Sequence, residues 1–329
     1  RHSYTGGELV PAPILADLPD ALITRESIEQ SQTETLEADP VAYVRRKGVV
    51  EAPNVADVAK AVAEEYAKTN VSVTLLNNFF ECPWKWYFRN LLQVPEAKTE
   101  SLLLGSVVHA GIEYLLKHRS GATTEALTAT MRTALEKEFV SGEAIMKRTL
   151  REAEKIVTQF SKTYLPQISE DAVSERSVSY RDPKYPHLSC YGKIDMTERA
   201  EDRVVSVTDF KTGRGKSASV IEKRDEDGRM SSLLRQLAMY SYLIEGAEKG
   251  TEVAESKLLF LEEEPGSKDA VYAKCVSGEE IELLRKDIAD YDALIQNGQW
   301  VSRPCLAKSY GAGDTCEYCA KARELFVGL

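Results

Sequence analysis

The feature that most constrains this chain is a change of hydrophobic period near residue 170. Before it, Ile145, Leu150, Ala153, Val157, Phe160 and Tyr164 recur every three to five residues, one stripe of a helix over 141–166. After it come three short β-branched segments, 173–181, 187–198 and 203–210, separated by Asp182-Pro183 and Glu201-Asp202. They predict an antiparallel meander. Helical patterns cover 55–69, 102–118 and 122–138 upstream, and 230–246 and 279–296 downstream. The last begins with Ser277 and Glu280, spaced for a capping box. Two more strands, 254–262 and 269–275, flank Pro265-Gly266, and a charged, glycine-bearing loop fills 214–229. Helices, three strands, helix, two strands, helix: that order excludes a helical bundle and a β-sandwich. It predicts an α/β fold, a mixed central β-sheet flanked by helices, with a helical insertion ahead of the strands.

Residues 1–54 carry no sustained period and are punctuated by Pro11, Pro13, Pro19, Pro40 and Pro53. They read as an extended arm or linker, leaving 55–329 as the domain. The chain opens on Arg1 rather than Met, as a piece of a longer protein would. No run of about 18 apolar residues exists, so no membrane-spanning helix is expected. Six cysteines in 329 residues are far too few for a disulfide scaffold. A reducing, cytoplasmic setting follows, with thiols free or on metal. The net charge of −10 argues against direct attraction to nucleic acid. Residues 1–70 hold 12 acids and 7 bases, net −5, so half the excess lies there. Carboxylates that hold metal ions could still act on phosphates, because the ions invert the local charge.

The strongest chemical signal is Gly192-Lys193-Ile194-Asp195 followed by Asp209-Phe210-Lys211-Thr212-Gly213. Asp209 and Lys211 are two apart on a strand and share a face. Asp195, on the neighbouring strand, is expected to converge with them. Three further groups accompany this pair. Gly105 and His109 lie on the buried helix 102–118, Gln236 and Tyr240 are four apart on helix 230–246, and Ser72 to Trp86 ends in Cys82-Pro83-Trp84. Each has a plain reading when taken alone: a surface ion pair, a core histidine, the polar edge of a helix, a cap and a turn.

Taken in order, the motifs resemble the PD-(D/E)XK nuclease superfamily, in particular the RecB/AddB-type nuclease domain. The resemblance spans about residues 70–325. The stretch from Thr74 to Pro95 is most similar to domains fused behind UvrD/Rep-type helicases, which would make 1–54 the tail of a motor. The resemblance implies a restriction-endonuclease-like core and Mg²⁺- or Mn²⁺-dependent hydrolysis of DNA, chiefly single-stranded, leaving 5′-phosphate and 3′-hydroxyl ends. It implies a helicase motor as partner and a role in repair or recombination. Its metal ligands would be His109, Asp195, Asp209 and the backbone carbonyl of Phe210. Lys211 would act on the attacking water or the scissile phosphate, Gln236 would support Lys211, and Tyr240 would contact DNA or pack beside it. Glu113, one turn after His109, would face the same ion. Trp84, Trp86 and Tyr87 would either stack bases or fill a core. A catalytically inactive copy kept as a DNA clamp or scaffold is the alternative reading.

Cys316-Glu317-Tyr318-Cys319 is a C-x-x-C outside any βαβ pattern, which favours metal over redox chemistry. Iron–sulfur members of the family place one cysteine before the Gly-x-x-x-His helix and three at the C-terminus. Cys82, Cys316 and Cys319 match that pattern, but Leu325 stands where the last cysteine belongs. With Cys305 substituting, the set Cys82, Cys305, Cys316 and Cys319 would hold a [4Fe–4S] cluster or, second, Zn²⁺. Cys190 and Cys275 fall in predicted strands and read as buried, inert thiols.

Overall fold

The computed structural model describes residues 52–96, 98–138, 142–307 and 316–328. All but the last three residues of the expected arm over 1–54 lie outside that range. Side-chain caps open most of the helices. Asn54 accepts the Ala56 N–H to start α1 (Val55–Glu65), and Ser72 accepts the Leu75 N–H to start α2 (Val73–Glu81). Cys82 closes α2, and Pro83 in the first helical position begins the short α3 (Pro83–Trp86), which runs on as a wider turn over Tyr87–Leu91. Thr99 caps α4 (Glu100–His118) and Thr123 caps α5 (Thr124–Glu136); α6 (Glu143–Thr163) completes the helical layer.

The strands follow as β1 (Val173–Tyr180), β2 (Cys190–Glu201) and β3 (Val204–Lys211). Next come α7 (Ala218–Ile221), within the expected loop, and α8 (Ser232–Ala247). After β4 (Glu252–Phe260) and β5 (Val271–Lys274), α9 (Gly278–Gln296) opens on the predicted Ser277–Glu280 capping box. The last helix is α10 (Glu317–Leu325). Spatial order equals chain order, β1 to β5. All neighbours are antiparallel except β3 and β4, whose parallel pairing needs the crossover that α8 supplies. The sheet is therefore mixed and flanked by helices, as the order of periods predicts.

Two apolar cores sit on the sheet's two faces. On one, Val178, Ile194, Val207 and Leu258 meet Leu237, Tyr240 and Leu243 of α8, and the same core runs on through α2, α3 and α9. On the other, Met196, Phe210 and Leu259 lie with Val108 and Ile112 of α4 and Val157 and Phe160 of α6. The aromatics Trp84, Trp86 and Tyr87 belong to the first core. Trp86 is fully buried, its ring 5.3 Å from that of Phe79 and 5.3 Å from that of Trp300. Trp84 and Tyr87 are also buried, and rings buried against one another in a core cannot stack on bases, so the core reading of this cluster holds. Cys190 is buried, as expected, but Cys275, one residue past the end of β5, is exposed, in alternation with the exposed Val271 and Ala273 of that strand. Among the described residues no helix is long and apolar enough to cross a membrane.

Candidate active site

The site forms where β2 and β3 part. Their ladder ends at Met196–Thr208, although both strands run on beyond it. Ile194 and Met196 pack into opposite cores, so β2 turns over at Asp195. Opposite this turn, Glu175 on β1 has φ +55°, a left-handed conformation that costs a non-glycine residue on the order of 1–3 kcal/mol. The N–H and C=O of one strand residue point the same way, so both backbone groups of Phe210 are aimed into the gap. The Asp195 carboxylate takes the N–H (Oδ2···N 2.7 Å). His109 Nε2 donates to the carbonyl (3.0 Å).

A small residue permits each approach. A Cβ on Gly105 would stand 3.2 Å from Thr212 Oγ1, so glycine lets α4 come down onto the end of β3. A Cβ on Gly192 would stand 2.6 Å from Leu243 Cδ1, so glycine lets α8 press against β2. These two glycines set the distances from His109 and from Gln236 to the strands.

On the α8 face, Asp209 is 2% exposed and tightly held. Its Oδ1 accepts from Gln236 Nε2 and from the Tyr240 hydroxyl, each at 2.7 Å. Lys211 Nζ lies 2.7 Å from Asp209 Oδ2 and donates to Gln236 Oε1 at 2.7 Å. The Lys211–Asp209 contact is an ion pair off the angle of a hydrogen bond, so this buried Oδ2 has charge beside it but no aligned donor. Burial pushes the Asp209 carboxyl above its ordinary value, outweighing the Lys211 ammonium beside it, and the Asp195 charge adds to the rise. Burial and the same Asp209 charge hold the Tyr240 hydroxyl well above its ordinary value, so it stays a donor.

On the other side, His109 Nδ1 is 3.5 Å from Asp195 Oδ1. Burial acts to lower the imidazole's pKa. The hydrogen bond and charge of Asp195, with the charges of Asp209 and Glu175, overcome it and raise the value to about 9. Glu175 is a participant that the motifs do not reveal. His109, Glu175 and Asp195 each offer a donor atom, all within 4.8 Å of one another, and Glu175 is meanwhile ion-paired to Lys193. Asp209 is outside that trio, engaged by Lys211, Gln236 and Tyr240 instead. Glu113 lines the same cleft and pairs with Lys117. The cleft encloses about 580 Å³, with Ser101, Gly105 and Thr212 at its walls. One nitrogen and several hard oxygens suit Mg²⁺ or Mn²⁺. The Phe210 carbonyl, beside His109, is a further oxygen, whereas Asp209 Oδ2 is held by Lys211 and Asp209 is not among the residues that line the cleft.

The arrangement falls on a known pattern. The profile of the PD-(D/E)XK nuclease superfamily matches residues 70–323. The chain belongs to the PD-(D/E)XK nuclease superfamily. Among solved structures, a candidate exonuclease from Eubacterium rectale shares the fold, with TM-score 0.50 and 13% identity over 80% of this chain and 90% of that one. A second structure, SSO0001, is 14% identical over 71% of this chain and 95% of that one, but its TM-score of 0.27 is too low to carry an argument. Comparison with curated proteins finds no match.

The cysteines form a separate group. Cys82 Sγ is 3.5 Å from both Cys316 Sγ and Cys319 Sγ, and Cys305 Sγ is 3.4 Å from Cys316 Sγ. All four sulfurs lie within 4.8 Å of one another. Burial alone would raise the Cys316 thiol. Hydrogen bonds from the Cys319 backbone N–H and the neighbouring thiols reverse that and lower it.

Proposed function

We propose that this PD-(D/E)XK domain is a metal-dependent DNA nuclease that hydrolyses phosphodiester bonds. The observation that carries the reading is the parting of β2 and β3, with His109 and Asp195 closing on the backbone of Phe210 and Lys211 held beside it. Asp195, His109, Glu175 and the Phe210 carbonyl would hold a divalent ion, with Asp209 adjoining. Such an ion supplies Lewis-acid polarisation of the phosphate and a water of lowered pKa.

The chain's own groups do the positioning. Gln236 accepts from Lys211 and donates to Asp209, which fixes the ammonium on the α8 side of Phe210. There it can orient the attacking water and offset charge that develops on the phosphate. Tyr240 donates to the Asp209 carboxylate and helps to fix its orientation beside Lys211. This makes Gln236 and the buried Tyr240 positioning residues.

The substrate we favour is single-stranded DNA, delivered by a helicase motor in the same polypeptide or complex during repair or recombination. Two things support this. The stretch Thr74–Pro95 resembles helicase-fused nucleases. A net charge of −10 gives the chain little long-range pull on a polyanion, so another component must supply affinity.

The test is a digest of end-labelled single-stranded DNA with Mg²⁺ or Mn²⁺, in parallel with EDTA. Cleavage that requires the ion and disappears in Lys211→Ala is expected. An intact substrate with wild-type protein and either ion would sink the nuclease reading and leave the chain as an inactive scaffold.

A further inference from the structure

We infer that the four-cysteine group holds a single tetrahedral zinc ion and not the [4Fe–4S] cluster that iron–sulfur relatives would lead one to expect. The argument is one of size. With Zn–S at about 2.3 Å, four sulfurs around one ion stand about 3.8 Å apart. A cubane interposes a separate iron behind each thiolate, so its cysteine sulfurs are held roughly 6 Å apart. The sulfurs here are 3.4 and 3.5 Å apart along three edges, and none of the six pairs exceeds 4.8 Å. The group fits the smaller figure and is too tight for the larger.

The fourth ligand comes from a different part of the chain than in the iron–sulfur relatives. Leu325 occupies the position of the missing cysteine at the end of α10, half-exposed. Six residues of helix carry it roughly 9 Å along the axis from Cys319. The replacement comes instead from Cys305, which precedes α10 and is drawn in next to Cys82 by a backbone bond from Leu306 N to Glu81 O (2.7 Å). Cys82 is fixed between α2 and α3, and Cys316 caps α10 with Cys319 in its first turn. Four thiolates with no carboxylate or imidazole suit zinc and an iron–sulfur centre alike, so the spacing of the sulfurs decides between them. The ion ties together segments 223 residues apart (305 − 82) and closes the end of the domain, where Val55 N also bonds Val327 O (3.0 Å). Nothing in this depends on whether the cleft cuts DNA.

The test is metal analysis of the full chain purified anaerobically from cells supplied with both iron and zinc. One zinc per chain and a colourless protein are expected, and the protein should stay colourless when incubated with ferrous iron and sulfide. Cobalt(II) exchanged into the site should give the strong visible absorption of a tetrahedral cobalt thiolate, weakened in Cys305→Ser and unchanged in Cys275→Ser. Because Cys305→Ser removes one ligand of four, its melting temperature should drop on the order of 10 °C. Should that variant fail to fold, the metal count and colour of wild-type protein decide alone. Brown protein with several irons per chain, iron in place of zinc, or a chain free of both metals would each overturn the proposal.

Discussion

The acidic cleft and the cysteine group are both clusters of metal-capable donors, but they keep their charges differently. In the cleft each acid already has a cation: Asp195 has His109, Glu175 has Lys193, and Glu113 has Lys117, while Asp209, on the α8 side, has Lys211. In the cysteine group the sulfurs have chiefly one another. A divalent ion entering the cleft must displace a proton from His109 and loosen Lys193 from Glu175, so part of its binding energy is spent on its rivals. A thiophilic ion entering the cysteine group replaces only weak S–H contacts. The first arrangement suits an exchangeable ion that works beside a substrate; the second suits one that stays.

The largest way to break this comparison is Asp195→Asn. Asparagine keeps the size and can still accept the Phe210 N–H, but it removes the charge that pairs with His109. DNA cleavage should fall by about a thousand-fold or more, since the groups of such a site act as a unit. Melting temperature should fall modestly at neutral pH, because the Asp195 charge that stabilises protonated His109 is lost while the main-chain bond remains. Gel assays and a thermal melt on the same preparation check both, and near wild-type cleavage would remove Asp195 from the site.

Glu175→Gln comes next. If Glu175 belongs with His109 and Asp195, the Mg²⁺ concentration for half-maximal cleavage should rise about 10- to 100-fold while the rate at saturating ion is largely kept. A metal titration distinguishes this from a merely structural role, for which the requirement would not move.

These two residues also mark what the sequence could and could not reveal. Asp195 is legible because it follows Gly192 on a patterned strand, and Asp209 with Lys211 because alternation puts both on one face. Gln236 and Tyr240 are legible from their spacing of four. Glu175 is hidden in Val-Ser-Glu-Arg-Ser-Val-Ser-Tyr, a polar edge strand in which any glutamate looks like solvent-facing surface. Its relevance arises from the turn-over of β2 and the left-handed backbone opposite, both of which depend on tertiary pairing. Asp195 and Asp209 are close enough for the charge of one to raise the pKa of the other, as both lying near Phe210 requires, but they engage different partners: His109 and the Phe210 N–H for Asp195, and Lys211, Gln236 and Tyr240 for Asp209. The order of strands was readable from the change of period, whereas the nature of the cysteine centre depends on distances that no spacing encodes.

A smaller effect concerns pH. In protein without added divalent ion, His109 carries a folded-state pKa of about 9 against an ordinary 6.5. A raised pKa means that its protonated form stabilises the fold. That contribution is complete below pH 6.5 and is lost as pH rises through 9. Denaturant titrations should therefore show stability declining over that window, and His109→Asn should flatten the decline. Saturating Mg²⁺ should reduce it as well, since the ion takes the place of the proton. A slope unchanged in His109→Asn would assign the titration to another group.

The smallest signal is a count of thiols, and it separates the two centres most directly. The chain has six cysteines. Cys275 is exposed and should react promptly with an aromatic disulfide reagent at neutral pH. Cys190 is 2% exposed, and burial together with the Asp182 charge pushes its thiol up to about 12, so it offers neither access nor thiolate. If the other four hold an ion, the prompt count in native protein is one. Stripping the cleft with a brief, mild EDTA treatment should leave that count at one, because the cleft contains no thiol. A thiol-competitive zinc chelator should raise it towards five while Cys190 stays hidden, and the released zinc should match the thiols gained at one ion for every four. A prompt count of five before any chelator would mean that the cysteine group is open, and the contrast between an exchangeable and a resident ion would fail.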